Sequence, residues 1–237
     1  MDITTDILCI IPARSGSKGI KNKNIKNLNG IPLMAHSIQQ AQECKYNMRI
    51  IVSTDSKKYA SIATGYGAEV PFIRPKNISQ DESLDIEFVK HCLNWLKNNE
   101  SYEPDVILQL RPTSPCRKIE DINKAMEIFL ENRDVYFSLR SVIEFNKSPY
   151  KMYNIENNEL KPLFKTVDGI NEPYNSLRQL LPKCYLHNGY IDIFNANIVE
   201  NNTISGNMIY PFVMKEDDCI DIDEEGDWKT LKINLNK

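Results

Sequence analysis

Three apolar runs, at residues 7–11, 49–54 and 105–110, recur along the first half of the chain with helix-patterned stretches between them. Runs without polar alternation belong to strands buried on both faces, the condition of a parallel sheet covered by helices. Each gap is too long for a hairpin and long enough for a helical crossover. The expected fold is therefore α/β, a doubly wound, mainly parallel sheet. Helices are expected from Pro32, over 56–66 with a stop at Gly67, over 85–97 and over 119–132. A fourth strand is predicted at 135–139, and a short extended piece at 70–73. From 144 to 183 the sequence turns polar and proline-broken, the mark of an insertion or an arm packed on a second subunit. Strand patterns resume at 189–194 and 208–213, and a short helix is expected after Glu224.

A length of 237 residues suits one such domain, 1–237, carrying 144–183 as a dimerisation or substrate-capping insertion. The net charge of −3 gives no electrostatic footprint for nucleic acid. The apolar runs are strand-sized, too short for a membrane span. The start of the chain shows no basic region or cleavage site, so a cytoplasmic location is expected. Cys9, Cys44, Cys92, Cys116, Cys184 and Cys219 lack metal-type spacing and read as reduced thiols.

The modest global charge hides a local asymmetry. Residues 7–42 hold five cations (Arg14, Lys18, Lys21, Lys23, Lys26) and no acid, whereas residues 216–227 hold eight acids and no cation. In an open parallel sheet, ligands bind beyond the carboxyl ends of the strands. The glycine- and lysine-rich loop after the first strand lies there, as do Asp55 after the second and the loop 111–117 after the third. In Arg14-Ser15-Gly16-Ser17-Lys18-Gly19, glycines allow backbone N–H groups to approach phosphate oxygens, and Arg14, Lys18 and Lys23 can neutralise a triphosphate. Neither GxxxxGK[ST] nor GxGxxG is present, so this is not a P-loop or a dinucleotide fingerprint. In a strand, Asp221 and Asp223 would share one face and could hold one Mg²⁺ against phosphates.

The ordered set Ile10-Ile11-Pro12-Ala13-Arg14-Ser15-Gly16-Ser17-Lys18-Gly19, Lys23-Asn24, Ser53-Thr54-Asp55, Arg111-Pro112-Thr113-Ser114-Pro115-Cys116-Arg117 and Asp221-Ile222-Asp223 resembles the acylneuraminate cytidylyltransferases. The likeness extends over nearly the whole chain. It implies a Rossmann-like nucleotidyltransferase fold and transfer of CMP from CTP to an acidic nine-carbon sugar. By the same resemblance Ala13, Arg14, Gly16, Ser17, Lys18, Asn24 and Arg74 bind CTP, with Asn24 at the nucleoside and Arg74 near the cytosine. Lys23, Arg14 and Asp223 are the catalytic candidates, Lys23 acting on the α-phosphate. Asp221 and Asp223 match the pair that holds Mg²⁺, or alternatively Mn²⁺. Arg111, Lys151, Arg178 and Asn188 are assigned to the sugar. Lys151 and Arg178 lie in the segment that serves the family as a dimerisation arm, so a homodimer is implied.

The chain departs from the family pattern at Leu186, where many members have arginine, at Asp192, where some have tyrosine, and at Asp85, where some have a small hydroxyl residue. These positions bear on the acceptor sugar. His36 and His91 fall within helix patterns and read as packing residues, while His187 lies nearer the site. Trp95 and Trp228 read as core or interface residues. Two other readings compete: a cytidylyltransferase for an octulosonate-type acid, and a non-catalytic CTP-binding protein. The Arg-Pro-Thr-Ser-Pro loop weighs against the first by resemblance, and retention of both aspartates with the loop cations weighs against the second.

Overall fold

The computed structural model describes residues 5–215 and 221–235. Six strands form the main sheet: β1 (Ile7–Pro12), β2 (Arg49–Ser53), β3 (Val106–Gln109), β4 (Ser138–Glu144), β5 (Tyr185–Asn195) and β6 (Ile209–Met214). Their order is β6-β4-β5-β3-β1-β2. β5 runs antiparallel to β3 and β4, and the other pairings are parallel. The expected α/β class and mainly parallel sheet are observed.

Alternation along the strands builds a core on each side. Ile7, Cys9 and Ile11 of β1 pack into one cluster, whereas Leu8 and Ile10 pack into the other. Helices α1 (Leu33–Glu43), α2 (Lys57–Gly65) and α4 (Ile119–Asn132) cover the first face, and α3 (Asp85–Glu100) covers the second. In α4, Ile122, Ala125, Met126 and Phe129 recur at helical spacing, so one stripe is buried. Ser56 caps α2, accepting from the Tyr59 amide at 3.4 Å. β1 and β3 run parallel, but the chain leaves β1 for β2 at one edge of the sheet and leaves β3 for β4 toward the other edge, so the strand order reverses between them. A crevice opens there at the strand ends.

Four local expectations need correction. The fourth strand begins at Ser138, not Val135; Val135 and Phe137 are exposed, and the strand continues to Glu144. Its buried polar residues are satisfied by partners remote in sequence, as when Ser138 donates to the Ser205 carbonyl at 2.6 Å. The 189–194 run belongs to an 11-residue antiparallel strand rather than another parallel βα unit. The 70–73 stretch forms no strand; sheet pairing there is one bridge between Ile51 and Glu69. Asp221–Asp223 is not a strand either: it is held by the Ile222 amide donating to Thr113 O (2.9 Å), the Asp223 amide donating to Asp227 Oδ2 (2.9 Å), the Lys23 ammonium and burial of Ile222. Residues 216–220, including Cys219 and three of the eight acids, lie outside the described residues.

Between β4 and β5 the chain forms two small hairpins, Tyr153–Glu156 with Glu159–Pro162 and Thr166–Val167 with Ile170–Asn171. Their turns carry positive φ at Asn157-Asn158 and Asp168-Gly169, as type I′ turns require. Ile155, Leu160, Leu177 and Leu180 on this segment are each at least 64% exposed. α5 (Glu225–Leu235) closes the chain: Trp228 and Leu231 pack with Ile222, Ile20 and Leu28 in a third apolar cluster.

Candidate active site

The crevice at the β1/β3 switch is a cleft of about 480 Å³. Arg14, Ser17, Lys18, Lys23 and Asn24 enter it from the loop after β1, Arg111–Thr113 from the loop after β3, Asp85 and Phe88 from α3, and Asp223 from the C-terminal segment. Folding thus brings together residues about 200 positions apart in sequence.

The first loop is fastened at its base. Asp55 accepts from the Ser15 amide (2.7 Å) and from Ser15 Oγ (2.8 Å), and buried Asn24 donates Nδ2 to Arg14 O at 2.9 Å. The Ala13 amide donates to Ser53 O at 2.9 Å, which leaves its carbonyl as its remaining main-chain polar group. At the far end, a Cβ on Gly19 would stand 2.2 Å from Asp223 O. Only glycine lets the cation loop and the Asp221–Asp223 segment approach this closely.

The loop cations are held by carboxylates. Asp81 bridges Arg14 Nη1 (2.7 Å) and Lys18 Nζ (2.8 Å), and these contacts hold its carboxyl below the usual range. Lys23 Nζ donates to Ile222 O (2.8 Å) and Asp223 Oδ1 (3.0 Å). Arg74 is buried, donates to Ser53 Oγ and Ser53 O, and lies 4.8 Å over the Phe88 ring. Desolvation lowers it to about 10, so it stays charged at neutral pH.

Asp221 and Asp223 are exposed residues on either side of buried Ile222. Desolvation by surrounding protein atoms raises the Asp221 carboxyl, and the charge of Asp223 raises it further, against a Thr113 hydrogen bond and the charges of Lys23 and Arg111. Two carboxylates offer the hard oxygen ligands that a divalent cation such as Mg²⁺ takes together with phosphates and water. Among the described residues no group of three or more side chains forms a metal site.

The acceptor candidates divide. Arg111 lines the cleft, pinned by Asp85 and Asp192. Asn188 sits in the irregular stretch of β5, accepting from Ser141 Oγ at 2.6 Å and from the Tyr190 amide at 3.2 Å. Lys151 donates to Tyr174 O and Ser176 O, and Arg178 to Asn146 Oδ1. Both belong to the segment between β4 and β5 and do not line this chain's own cleft. Arg117 is structural: fully enclosed, it ties Tyr190 O, Gln40 Oε1 and Arg111 O together and so shapes the loop after β3. Asp81, Arg140 and the paired role of Asp192 escaped the sequence reading. Their neighbours are remote in sequence, and no local spacing signals them.

The cytidylyltransferase family profile matches residues 8–167. A CMP-N,N'-diacetyllegionaminic acid synthase of Campylobacter jejuni is 36% identical over 235 residues, 98% of this chain and 95% of that protein. A protein of the same name from Legionella pneumophila is 36% identical over 96% of this chain and 97% of its own length. A Campylobacter coli protein described as post-translational flagellin modification protein B is 34% identical over 98% and 96% of the two chains. Among solved structures, a CMP:2-keto-3-deoxy-manno-octonic acid synthetase complexed with CTP superposes with a TM-score of 0.72 at 13% identity, covering 98% of this chain and 99% of the other, which supports the fold. The family profile and these relatives show that this chain belongs to the cytidylyltransferase family, among the acylneuraminate cytidylyltransferases and their relatives.

Proposed function

We propose that the chain transfers CMP from CTP to the anomeric hydroxyl of a sialic-acid-like nonulosonic acid, with release of pyrophosphate. The observation that carries this reading is the convergence of Arg14, Lys18 and Lys23 with Asp223 at the β1/β3 switch, with Asp221 next to them within reach of the charges of Lys23 and Arg111. Cations for a triphosphate and carboxylates for a divalent ion then serve one ligand.

Displacement at phosphorus needs positioning and charge neutralisation more than covalent chemistry. Arg14 and Lys18 bind the outer phosphates after leaving Asp81. Lys23, released from Asp223, stabilises charge that grows on the α-phosphate. Arg74 and Asn24 hold the nucleoside, with Gly16, Ser17 and the Ala13 carbonyl lining its path. Asp221 and Asp223 would hold Mg²⁺, or Mn²⁺ in its place. A bound divalent ion would supply Lewis-acid stabilisation of phosphate charge.

The sugar occupies the side of the cleft near Arg111. Its carboxylate is met by Lys151 and Arg178 of a second subunit, whose arm (144–183) crosses over in a cytoplasmic homodimer of this 1–237 domain. Two features favour that assembly: both cations stand away from their own cleft, and Ile155, Leu160, Leu177 and Leu180 expose apolar surface on the same segment. The test is incubation with CTP, Mg²⁺ and N-acetylneuraminic acid, legionaminic acid or a deoxy-octulosonate, with products weighed by mass spectrometry. A CMP conjugate of a nonulosonic acid is expected. A conjugate of the octulosonate alone would overturn the acceptor class.

A further inference from the structure

The most heavily paired charges at the cleft form a chain through Arg111. Its Nη2 donates to Asp85 Oδ2 at 2.5 Å, and its Nη1 donates to Asp192 Oδ2. Asp192 has a side chain 1% exposed, and its other oxygen faces Arg140 Nη1 at 3.1 Å and His187 Nε2 at 2.7 Å. Burial alone would raise this carboxyl. The His187 hydrogen bond and the charges of Arg111 and Arg140 outweigh burial and hold it far below the ordinary range, so the anion is permanent. Behind Arg111, a Cβ on Gly189 (φ +65) would come within 3.4 Å of Nη1, so the irregular stretch of β5 forms a wall against the guanidinium. Asp85 also accepts from Gln109 Nε2 at 2.9 Å, which fixes the carboxylate that fixes the arginine.

Two consequences follow. The charge of Arg111 is offset at hydrogen-bond distance by two carboxylates, one of them, Asp85, in the same cleft with a side chain 37% exposed. An incoming anion would meet that carboxylate as well as the guanidinium. Arg111 also keeps directional capacity. A guanidinium carries five N–H donors, the two carboxylates use one on each terminal nitrogen, and the side chain remains 23% exposed in the cleft.

We infer that Arg111 recognises a neutral oxygen of the acceptor sugar, a hydroxyl or an amide carbonyl, and not its carboxylate. Asp85 and Asp192 are its positioning residues. This rests on the proposed function, because it assigns a part of the same site.

The experiment compares Arg111→Gln, which keeps an N–H donor without charge, with Arg111→Met, which keeps neither. Acceptor KM, CTP KM and kcat are read by pyrophosphate release. Wild-type release with a nonulosonic acid comes first; without it the functional reading fails and the two failures are told apart. Given that activity, Arg111→Gln should hold acceptor KM within about threefold, and Arg111→Met should raise it about tenfold or more, with CTP KM unchanged in both. Equal large rises in both variants would show that charge is what the sugar needs and overturn the inference, as would no rise in either. Should the single variants fail to fold, Asp192→Asn is combined with each to remove the unpaired buried carboxylate, and the same comparison decides.

Discussion

Gly19→Ala tests the architecture of the cleft most sharply. The added Cβ would lie 2.2 Å from the Asp223 carbonyl oxygen, a backbone atom that cannot rotate away. The cation loop and the Asp221–Asp223 segment must part by about 1 Å, and a misplacement of that size at a reacting centre costs about 10²-fold in rate. The displacement also pulls Lys23 Nζ from Ile222 O and Asp223 Oδ1, its two partners here. A control lies outside the cleft: a Cβ on Gly65, at the end of α2, would meet nothing within 4 Å. Steady-state pyrophosphate release, with thermal unfolding as a check on folding, should find Gly19→Ala slowed about 100-fold and Gly65→Ala within about twofold of wild type. A folded Gly19→Ala enzyme with normal turnover would refute the claim that the two segments must touch for catalysis.

Other outcomes follow from the same geometry. Lys23→Ala should lower kcat by about 10²–10³ while shifting the unfolding midpoint little, since its partner Asp223 is 71% exposed. Asp81→Asn removes a carboxylate that competes with phosphate for Arg14 and Lys18, so CTP should bind about two- to fivefold more tightly by calorimetry. Asp192 has a depressed folded-state pKa, so its stabilisation is complete above the unfolded value of about 3.9 and is lost as pH falls through the folded value. Urea unfolding should find wild type more stable than Asp192→Asn at neutral pH, with the gap narrowing below about pH 4.

Much of this was legible in the sequence because parallel strands are apolar on both faces. The runs 7–11, 49–54 and 105–110 could be little else, and α4 was readable to the residue from its buried stripe. β4 was misplaced because Tyr136 and Phe137 carry strand propensity, whereas the real strand hides Ser138, Arg140 and Ser141 among long-range partners. The hairpins before β5 were missed although Asn157-Asn158 and Asp168-Gly169 are turn dipeptides. Asp221–Asp223 was read as a strand from its alternation; the alternation is real, but Ile222 is fixed by the apolar cluster around Trp228 rather than by a neighbouring strand. Asp85 and Asp192 looked like separate departures from the family pattern, and Arg111 like an unrelated sugar contact. Only the sheet register, which sets Asp192 opposite Gln109 and Arg140, makes them one cluster.

The most direct test of the central claim is the fate of phosphorus from CTP labelled separately at the α and γ positions, in the presence of Mg²⁺ and a nonulosonic acid. The α label should appear in a CMP–sugar conjugate and the γ label in pyrophosphate, in equal amounts. An α label recovered only as free CMP, or a γ label released as inorganic phosphate, would contradict transfer to the sugar.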